Sequence, residues 1–386
     1  MMFPLSNKRI SLVFFIPVLM LAGIASQSVA APLPAPPQLS ANSFLLIDHV
    51  SGEVLAEKEP DKRIEPASLT KIMTAYLVAS ELGRGGISMD EPVIISDEAQ
   101  AMPGSRMFVE ASTTVSVADL LRGLIIQSGN DASVALAEHI AASEGGFVDM
   151  MNRMAETLGM KSTHYANASG LPDPEHYTTA TDLAKVAQAM IRDFPEVYAL
   201  YAERHFTFNE IKQKNRNTLL WRDVTVDGMK TGHTKAAGYC LVASAVREDM
   251  RLISVVLGTA SDKTRIAESQ RLLNYGYRFF RTERIYAAGE LVSEPRIWMG
   301  KQETIALGVE KDLYVTLPRD DFERLNRQIE VNDYIKAPAN IGQEFGRSVL
   351  MADNKIIGEV PLLALQKVEE GGIFLRMKHS IMRYFQ

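Results

Sequence analysis

The sequence contains little of what disulfide, metal or nucleotide sites require. Its single cysteine, Cys240, excludes an intramolecular disulfide, and its place in an apolar run predicts a buried structural thiol rather than a nucleophile. The seven histidines show no zinc-type spacing, and no glycine-rich phosphate-binding loop occurs. The net charge of −6 argues against nucleic acid as a partner. We therefore expect no cofactor, no metal and no nucleic-acid partner.

The apolar run near the N-terminus is too short to predict a membrane span. It extends from Ile10 to Ala25 and follows the basic residues Lys8 and Arg9. Small residues in Ser28-Val29-Ala30 then fit a signal-peptidase site. Residues 1–30 are therefore predicted to be a signal peptide of an exported protein. Removing its two basic residues and no acidic ones changes the net charge from −6 to −8.

Ser68 and Lys71 belong to the first of three polar motifs. Apolar residues at helical spacing predict a helix from Ser68 to Leu82, with Pro66 in a first-turn position. Because residues three apart share a helix face, Lys71 should lie over Ser68 and could act as its base. That role requires a lowered lysine pKa, through burial or a second cation such as Lys230. The alternative, from this motif alone, is the solvated face of an amphipathic helix.

The second motif, Ser128-Gly129-Asn130, lies between the apolar run 120–126 and a predicted helix that includes residues 132–137. This position predicts a tight connection between two buried helices. Ser128 could pass a proton towards a leaving group, and Asn130 could orient Lys71 or a substrate carbonyl. Taken alone, the motif is better explained as an ordinary turn between helices, where these residue types are common.

The third motif begins with Lys230-Thr231-Gly232-His233-Thr234. Two apolar runs, 239–246 and 252–257, follow it and are separated by a charged turn, which is typical of an antiparallel hairpin. Lys230 and Thr231 could bind a carboxylate, and Gly232 would let a substrate backbone approach a strand edge. The alternative is a basic turn before a strand, although the segment has more polar groups than a turn requires.

In this order, the three motifs resemble those of serine acyl-enzymes that recognise penicillin. The residues around them resemble the D-alanyl-D-alanine carboxypeptidases, the low-molecular-mass penicillin-binding proteins of bacteria. The resemblance extends over nearly the whole mature chain. The segments that carry it are 65–71, 127–132, 203–208, 215–217, 227–234, 278–280 and 306–309.

The resemblance implies a role for each catalytic candidate. Ser68 would be the acylated nucleophile and Lys71 its base. Ser128 and Asn130 would be the proton-shuttle and orienting pair. The backbone N–H groups of Ser68 and His233 would line the oxyanion hole.

The resemblance also implies a substrate-binding set. Lys230, Thr231, Gly232 and His233 would bind the substrate. Arg216 would hold the terminal carboxylate, which suits the planar fork of a guanidinium group. A surface charge is the alternative role for Arg216.

By resemblance, the protein is a carboxypeptidase that removes the terminal D-alanine from peptidoglycan pentapeptide stems and is acylated by β-lactam antibiotics. No Glu-x-x-Leu-Asn element lies between the second and third motifs to activate a deacylating water. Residues 101–108 instead resemble the family's loop beside the active site. The alternatives are a D,D-endopeptidase or weak β-lactamase and, from another class, a non-catalytic cell-wall-binding protein. The intact Ser68 and Lys71 argue against the last.

The pattern of elements predicts an α/β (α+β) fold with two domains. Helices packed on an antiparallel sheet, opened by a hairpin (44–47 and 54–58), indicate a β-lactamase/transpeptidase-like catalytic domain over residues 31–288. Short strands indicate a small β-rich C-terminal domain over residues 289–360. The predicted strands of that domain are 304–307, 312–317 and 349–360, the last with a turn at Asp353-Asn354.

Residues 361–386 are predicted to form a linker and a terminal amphipathic helix after Gly371-Gly372. Its apolar face consists of Ile373, Phe374, Met377, Ile381, Tyr384 and Phe385, beside the basic residues Arg376, Lys378, His379 and Arg383. A cationic amphipathic helix on an acidic protein suggests binding to a membrane surface. We expect a periplasmic protein attached peripherally to the inner membrane through this helix. The alternative is a helix packed on the preceding domain.

Overall fold

A computed structural model describes residues 33–353 and 355–384 of the protein, so the predicted signal peptide lies outside the described residues. The strands up to residue 259 are β1 (Ser43–Asp48), β2 (Val54–Lys58), β3 (Pro92–Ile94), β4 (Thr114–Ser116), β5 (His205–Phe208), β6 (Ile211–Lys214), β7 (Val226–Thr234), β8 (Gly238–Arg247) and β9 (Met250–Thr259). The helices up to residue 279 are α1 (Lys71–Arg84), α2 (Asp97–Ala101), α3 (Val117–Arg122), α4 (Asn130–Ala141), α5 (Glu144–Thr157), α6 (Ala180–Asp193), α7 (Pro195–Tyr198), α8 (Leu219–Arg222) and α9 (Asp262–Phe279).

A five-stranded antiparallel sheet in the order β2-β1-β9-β8-β7 forms the centre of this region. Successive side chains of a strand point to opposite faces, and both faces of this sheet are covered. Leu45 and Ile47 pack in the core that includes α1, α4 and α6, whereas Phe44 and Leu46 pack in the core that includes α9. The sheet therefore forms the middle of three layers, with helices on either side, and the β1–β2 hairpin opens it. This arrangement confirms the predicted fold class.

Beyond α9 the chain is rich in short strands, which confirms the predicted β-rich C-terminal domain. They are β10 (Phe280–Tyr286), β11 (Leu291–Ser293), β12 (Ile297–Trp298), β13 (Leu307–Gly308), β14 (Leu313–Pro318), β15 (Leu325–Val331), β16 (Ile335–Lys336), β17 (Glu344–Ala352) and β18 (Lys355–Ala364). Five of them form a sheet in the order β11-β13-β18-β17-β15, while β10 pairs with β14 and β12 with β16. This region has its own apolar core.

The individual strands of the C-terminal region were only partly predictable. The predicted strand pair in 349–360 corresponds to the β17–β18 hairpin. The predicted strand 304–307 is wrong, because only Leu307 belongs to a strand and Thr304 forms a single bridge with Arg296. Strand β15 was not predicted, because its sequence has no alternation of apolar and polar residues. Its central residues are exposed, since the strand lies at the edge of the sheet and pairs with β17 alone.

A terminal helix, α10 (Ile373–Tyr384), follows the β-rich region. His379, expected on the polar face, is instead buried: its Nδ1 accepts a hydrogen bond from the Met299 N–H (2.8 Å), and its ring meets Trp298 edge-on. The apolar residues Ile373, Phe374, Met377 and Ile381 are exposed. The helix therefore contacts the domain while exposing an apolar face. No helix within the described ranges is both long and apolar enough to cross a membrane.

Candidate active site

Ser68 lies in a 3-10 turn, Ala67–Thr70, that leads directly into α1. In this tight turn side chains three residues apart are nearly eclipsed, which places Lys71 over Ser68. Ala67 has a left-handed φ of 48°, and a Cβ on Gly170 would lie 1.9 Å from the Ala67 carbonyl oxygen. Only glycine therefore fits beside this strained turn. Ser68 itself is half-buried, as an accessible nucleophile must be.

Lys71 is completely buried beneath Ser68. Its Nζ lies 3.4 Å from Ser68 Oγ and donates hydrogen bonds to Asn130 Oδ1 (2.7 Å) and to the Ser169 carbonyl (2.5 Å). Burial, with a smaller effect of the Arg216 guanidinium, lowers the pKa of Lys71 from 10.5 to about 7. Lys71 can therefore exist as a neutral amine at physiological pH, which is the form a general base needs.

Lys230 was the second cation expected from the sequence. It is also buried, and burial together with Lys71 and Arg216 holds the pKa of Lys230 well below its ordinary value. Two buried amines and a nearby guanidinium group therefore share one site. An anionic ligand would favour the protonated form of Lys230 and would also attract the Arg216 guanidinium.

The second motif forms the predicted connection between buried helical segments. Ser128 has a left-handed φ of 66° between a π-helical turn, Gly123–Gln127, and the start of α4. Within the described part of the chain, its buried Oγ has no hydrogen-bond partner. A strained residue with an unsatisfied buried hydroxyl is typical of a functional position.

The third motif lies inside β7 rather than on a turn before a strand. Strand β7 pairs only with β8 and forms the edge of the sheet, so an extended ligand could align beside it. Lys230 and Thr231 are buried, whereas His233 is exposed and its ring packs against Tyr239 at a tilt of 33°. A Cβ on Gly232 would lie 3.0 Å from the Pro66 carbonyl oxygen, so this glycine also lets β7 pack against the Ser68 turn.

Arg216 lies next to the second motif and is exposed. Its Nε donates a hydrogen bond to the Gln127 carbonyl (2.8 Å). The neighbouring Asn217 ties this segment to β7, since its Nδ2 donates to the Gly228 carbonyl (3.0 Å). Arg216 is thereby positioned between the second and third motifs, where its guanidinium group could reach a ligand.

A match to known families decides the identity. A family model for D-alanyl-D-alanine carboxypeptidase matches residues 29–261, and a model for the C-terminal domain of penicillin-binding protein 5 matches residues 280–370. The chain belongs to the D-alanyl-D-alanine carboxypeptidase family. The predicted family and enzyme class are therefore confirmed, and the match favours a carboxypeptidase over the alternatives.

This carboxypeptidase is 44% identical to the D-alanyl-D-alanine carboxypeptidase DacA of Haemophilus influenzae, over 88% of each chain. It is 43% identical to DacA of Escherichia coli, over 90% of this chain and 88% of the relative. The crystal structure of penicillin-binding protein 5 from Haemophilus influenzae has a TM-score of 0.84 at 43% identity, covering 87% of this chain and 100% of that chain. The ampicillin-bound penicillin-binding protein D2 from Listeria monocytogenes has a TM-score of 0.59 at 30% identity, covering 63% and 100%.

Several residues of the carboxypeptidase site were not predicted. The Ser169 carbonyl accepts from Lys71, and His176 Nε2 lies 2.9 Å from Thr70 Oγ1 behind the Ser68 turn. Asp131 is buried directly after the second motif. Only Asp131 could have been suspected, from its adjacency to that motif. The other two come from a loop about one hundred residues after Ser68 and form no short motif.

Cys240 is buried in β8, and burial raises the pKa of its thiol to about 11, which supports the expected structural role. Across the described ranges, no cluster of three or more His, Cys, Asp or Glu side chains could hold a metal ion.

Proposed function

We propose that this carboxypeptidase removes the terminal D-alanine from peptidoglycan pentapeptide stems through an acyl-enzyme on Ser68. The observation that carries the proposal is the position and the lowered pKa of Lys71. Its amine lies 3.4 Å from Ser68 Oγ and has a pKa of about 7. A base with a pKa near the working pH is the form best suited to take a proton from a serine hydroxyl.

Acylation begins when neutral Lys71 accepts the Ser68 proton and Oγ attacks the carbonyl of the penultimate D-alanine. The oxyanion of the tetrahedral intermediate would be held by the backbone N–H groups of Ser68 and His233. Lys71 then returns its proton through Ser128 to the departing amine, and the C–N bond breaks. The buried Ser128 hydroxyl without a hydrogen-bond partner among the described residues supports this shuttle.

Asn130 keeps Lys71 in place during these transfers, because its Oδ1 accepts one of the lysine protons (2.7 Å). In deacylation, water takes the place of the amine, and Lys71 accepts a proton from the water as it attacks the ester carbonyl. That proton then returns to Ser68 Oγ as the C–Oγ bond breaks, which regenerates the free serine. Free D-alanine and the shortened peptide are the products. No atom is oxidised or reduced, so the reaction requires no redox cofactor.

The terminal carboxylate of the substrate would bind where Lys230, Thr231 and Arg216 converge. An anionic carboxylate would favour the protonated form of Lys230, and the free edge of β7 would align the peptide backbone. Gly232 keeps this strand close to the nucleophile. The specificity for a C-terminal residue follows from this carboxylate contact, since an internal peptide bond offers no charge there.

β-Lactams would acylate Ser68 by the same step, because opening the strained amide leaves the amine attached to the acyl group. The amine remains tethered beside the ester, where it would obstruct the approach of a deacylating water and so prolong the life of the ester. Structures of the related penicillin-binding protein D2 with ampicillin and cefotaxime support this part of the proposal. The lack of a Glu-x-x-Leu-Asn element favours slow release over β-lactamase activity.

We propose the organisation expected from the sequence: a signal peptide (1–30), a catalytic domain (31–288), a β-rich domain (289–360) and a linker with an anchor helix (361–386). Strand β10 connects the two domains, since it continues from α9 and pairs with β14. The exposed apolar residues of α10 support peripheral attachment to the inner-membrane surface. The catalytic domain would then act on peptidoglycan in the periplasm.

Product analysis tests the reaction. The purified protein is incubated separately with a synthetic pentapeptide, a cross-linked muropeptide dimer and penicillin. We expect D-alanine from the pentapeptide and a lasting stoichiometric adduct with penicillin. A faster reaction with the dimer would favour the endopeptidase, and continuous penicillin turnover would favour the β-lactamase. The Ser68→Ala variant, with its fold checked by circular dichroism, should be inactive with all three.

A further inference from the structure

We propose that Asp131 is a positioning residue of the peptidase reaction, which holds residues 103–109 against the second motif and so keeps Asn130 aligned with Lys71. We refer to residues 103–109 as the flanking loop. The inference rests on the proposed function, because it concerns the residues that would activate Ser68. Asp131 itself is not proposed to contact the substrate.

The carboxylate of Asp131 is almost fully buried and is satisfied by backbone donors. Oδ1 accepts from the N–H groups of Met107 (3.0 Å) and Ala132 (2.9 Å). Oδ2 accepts from those of Phe108 (2.8 Å) and Val109 (3.4 Å). No lysine, arginine or histidine forms an ion pair with Asp131 within residues 33–353 and 355–384. A buried carboxylate without a cation is costly unless its oxygens are fully hydrogen-bonded.

These contacts fasten three consecutive backbone N–H groups of an irregular segment, which would otherwise lack partners in a strand or helix. Phe108 has a left-handed φ of 72°, a conformation that bulky residues rarely adopt without external support. A Cβ on Gly129 would lie 2.6 Å from Asp131 Oδ1, so the close approach also depends on that glycine. Gln213 adds an uncharged contact, as its Nε2 donates to the Met107 carbonyl (3.1 Å).

The same loop determines how the Asn130 amide is turned. Asn130 Nδ2 donates to the Pro103 carbonyl (2.7 Å), and the Asn130 N–H donates to the Ser105 carbonyl (2.7 Å). With its nitrogen fixed on the loop, the amide presents Oδ1 to Lys71. Displacing the flanking loop would therefore release Asn130 and, through it, the lysine amine. Asp131 is the only charged side chain that binds this loop's backbone N–H groups among the described residues.

Asp131 also acts on Lys71 through its charge. The Asp131 anion raises the pKa of Lys71 against the larger lowering by burial. Removing the anion should lower the Lys71 pKa further. The acid side of the acylation profile, where the rate rises with pH towards its plateau, should therefore move to lower pH. The other ionisable groups coupled to Lys71 are Arg216, Glu144, Lys230 and His176. None of these is changed by a substitution at Asp131.

The test compares three variants in the full-length protein. Asp131→Asn keeps the shape but turns one acceptor oxygen into a donor that faces N–H groups. Glu138→Gln removes an equal charge from the same helix, where that side chain accepts a hydrogen bond from Ser96 Oγ and not from residues of the flanking loop. Gln213→Leu weakens the loop contact without changing any charge. Acylation by a fluorescent penicillin is measured across the pH range in which each protein remains folded.

We expect Asp131→Asn to lower the plateau rate by about 10- to 100-fold, as small misplacements of catalytic groups do, and to shift the acid side to lower pH. Gln213→Leu should lower the plateau by about fivefold, the effect of one hydrogen bond, without a shift. Glu138→Gln should match the wild type. Wild-type rates and pH dependence in Asp131→Asn would overturn the proposal.

Two further outcomes are decided in advance. If Asp131→Asn does not fold, the test of the proposal rests on Gln213→Leu. A wild-type plateau rate of acylation in that variant would overturn the positioning role of the loop. If the wild-type protein is not acylated on Ser68, the proposed function fails. If it is acylated there and Asp131→Asn reacts equally fast, only the inference about Asp131 fails.

Discussion

Acylation by a fluorescent penicillin should rise with pH through about 7 and then level off, because only the neutral amine of Lys71 can accept the Ser68 proton. The lysine pKa falls from 10.5 to about 7, mainly through burial. At neutral pH about half of the molecules then have the neutral amine, against about one in 3,000 for an unperturbed lysine. Burial of Lys71 therefore raises the reactive fraction roughly 1,000-fold.

Stopped-flow fluorescence at a series of pH values measures this profile, and thermal melts at each pH check that the protein remains folded. Lys71→Arg is the matched control, because arginine keeps the positive charge but does not lose its proton in this range. It should acylate at least about 100-fold more slowly at every pH. A wild-type profile that rises only near the ordinary lysine pKa, or rapid acylation of Lys71→Arg, would refute the role of Lys71 as base.

Four further predictions concern other parts of the molecule. Gly232→Ala should slow acylation and destabilise the protein by about 1–3 kcal/mol in urea unfolding, because the new methyl group would lie 3.0 Å from a backbone oxygen of the nucleophile's turn. Lys230→Ala and Arg216→Ala should slow hydrolysis of free-carboxylate peptides about tenfold or more relative to amidated analogues, and equal losses would count against carboxylate binding. His379→Ala should increase amide hydrogen exchange in α10 without changing acylation, whereas unchanged exchange would show that this contact does not hold the helix. Deleting residues 371–386 should move the protein from the membrane to the soluble fraction with its peptidase activity intact, and a truncated protein that stays with membranes would place the anchor elsewhere.

The parts of the fold that follow local patterns could be predicted from the sequence. Strands β1, β8 and β9 could be predicted as short apolar runs, which are buried almost continuously because both faces of the central sheet are covered, and the helical spacing after Ser68 predicted α1. The fixed spacing within Ser68-Leu69-Thr70-Lys71 also predicted that the two polar side chains would meet. The structure brings this pair to 3.4 Å and adds Asn130, which lies 59 residues from Lys71.

The parts that depend on distant contacts could not be predicted. Strand β7 is occupied by polar motif residues, so it lacks an apolar pattern although it pairs with β8 along its length apart from one register shift before Gly228. From the sequence, His379 is expected on the polar face of an amphipathic helix. Its burial results from contact with Trp298, which is distant in the sequence. The Ser169 carbonyl accepts a hydrogen bond from Lys71, although the two residues are 98 positions apart in the sequence. Every residue has a backbone carbonyl, so the residue type at this position gives no sign of the contact.

The central claim is that Ser68 forms the acyl-enzyme, and peptide mapping by mass spectrometry after a brief incubation with penicillin tests it most directly. The account predicts a single adduct with the mass of intact penicillin, attached to the peptide that contains Ser68 and absent from the Ser68→Ala protein. Labelling of a different residue, or an equal adduct in Ser68→Ala, would contradict it.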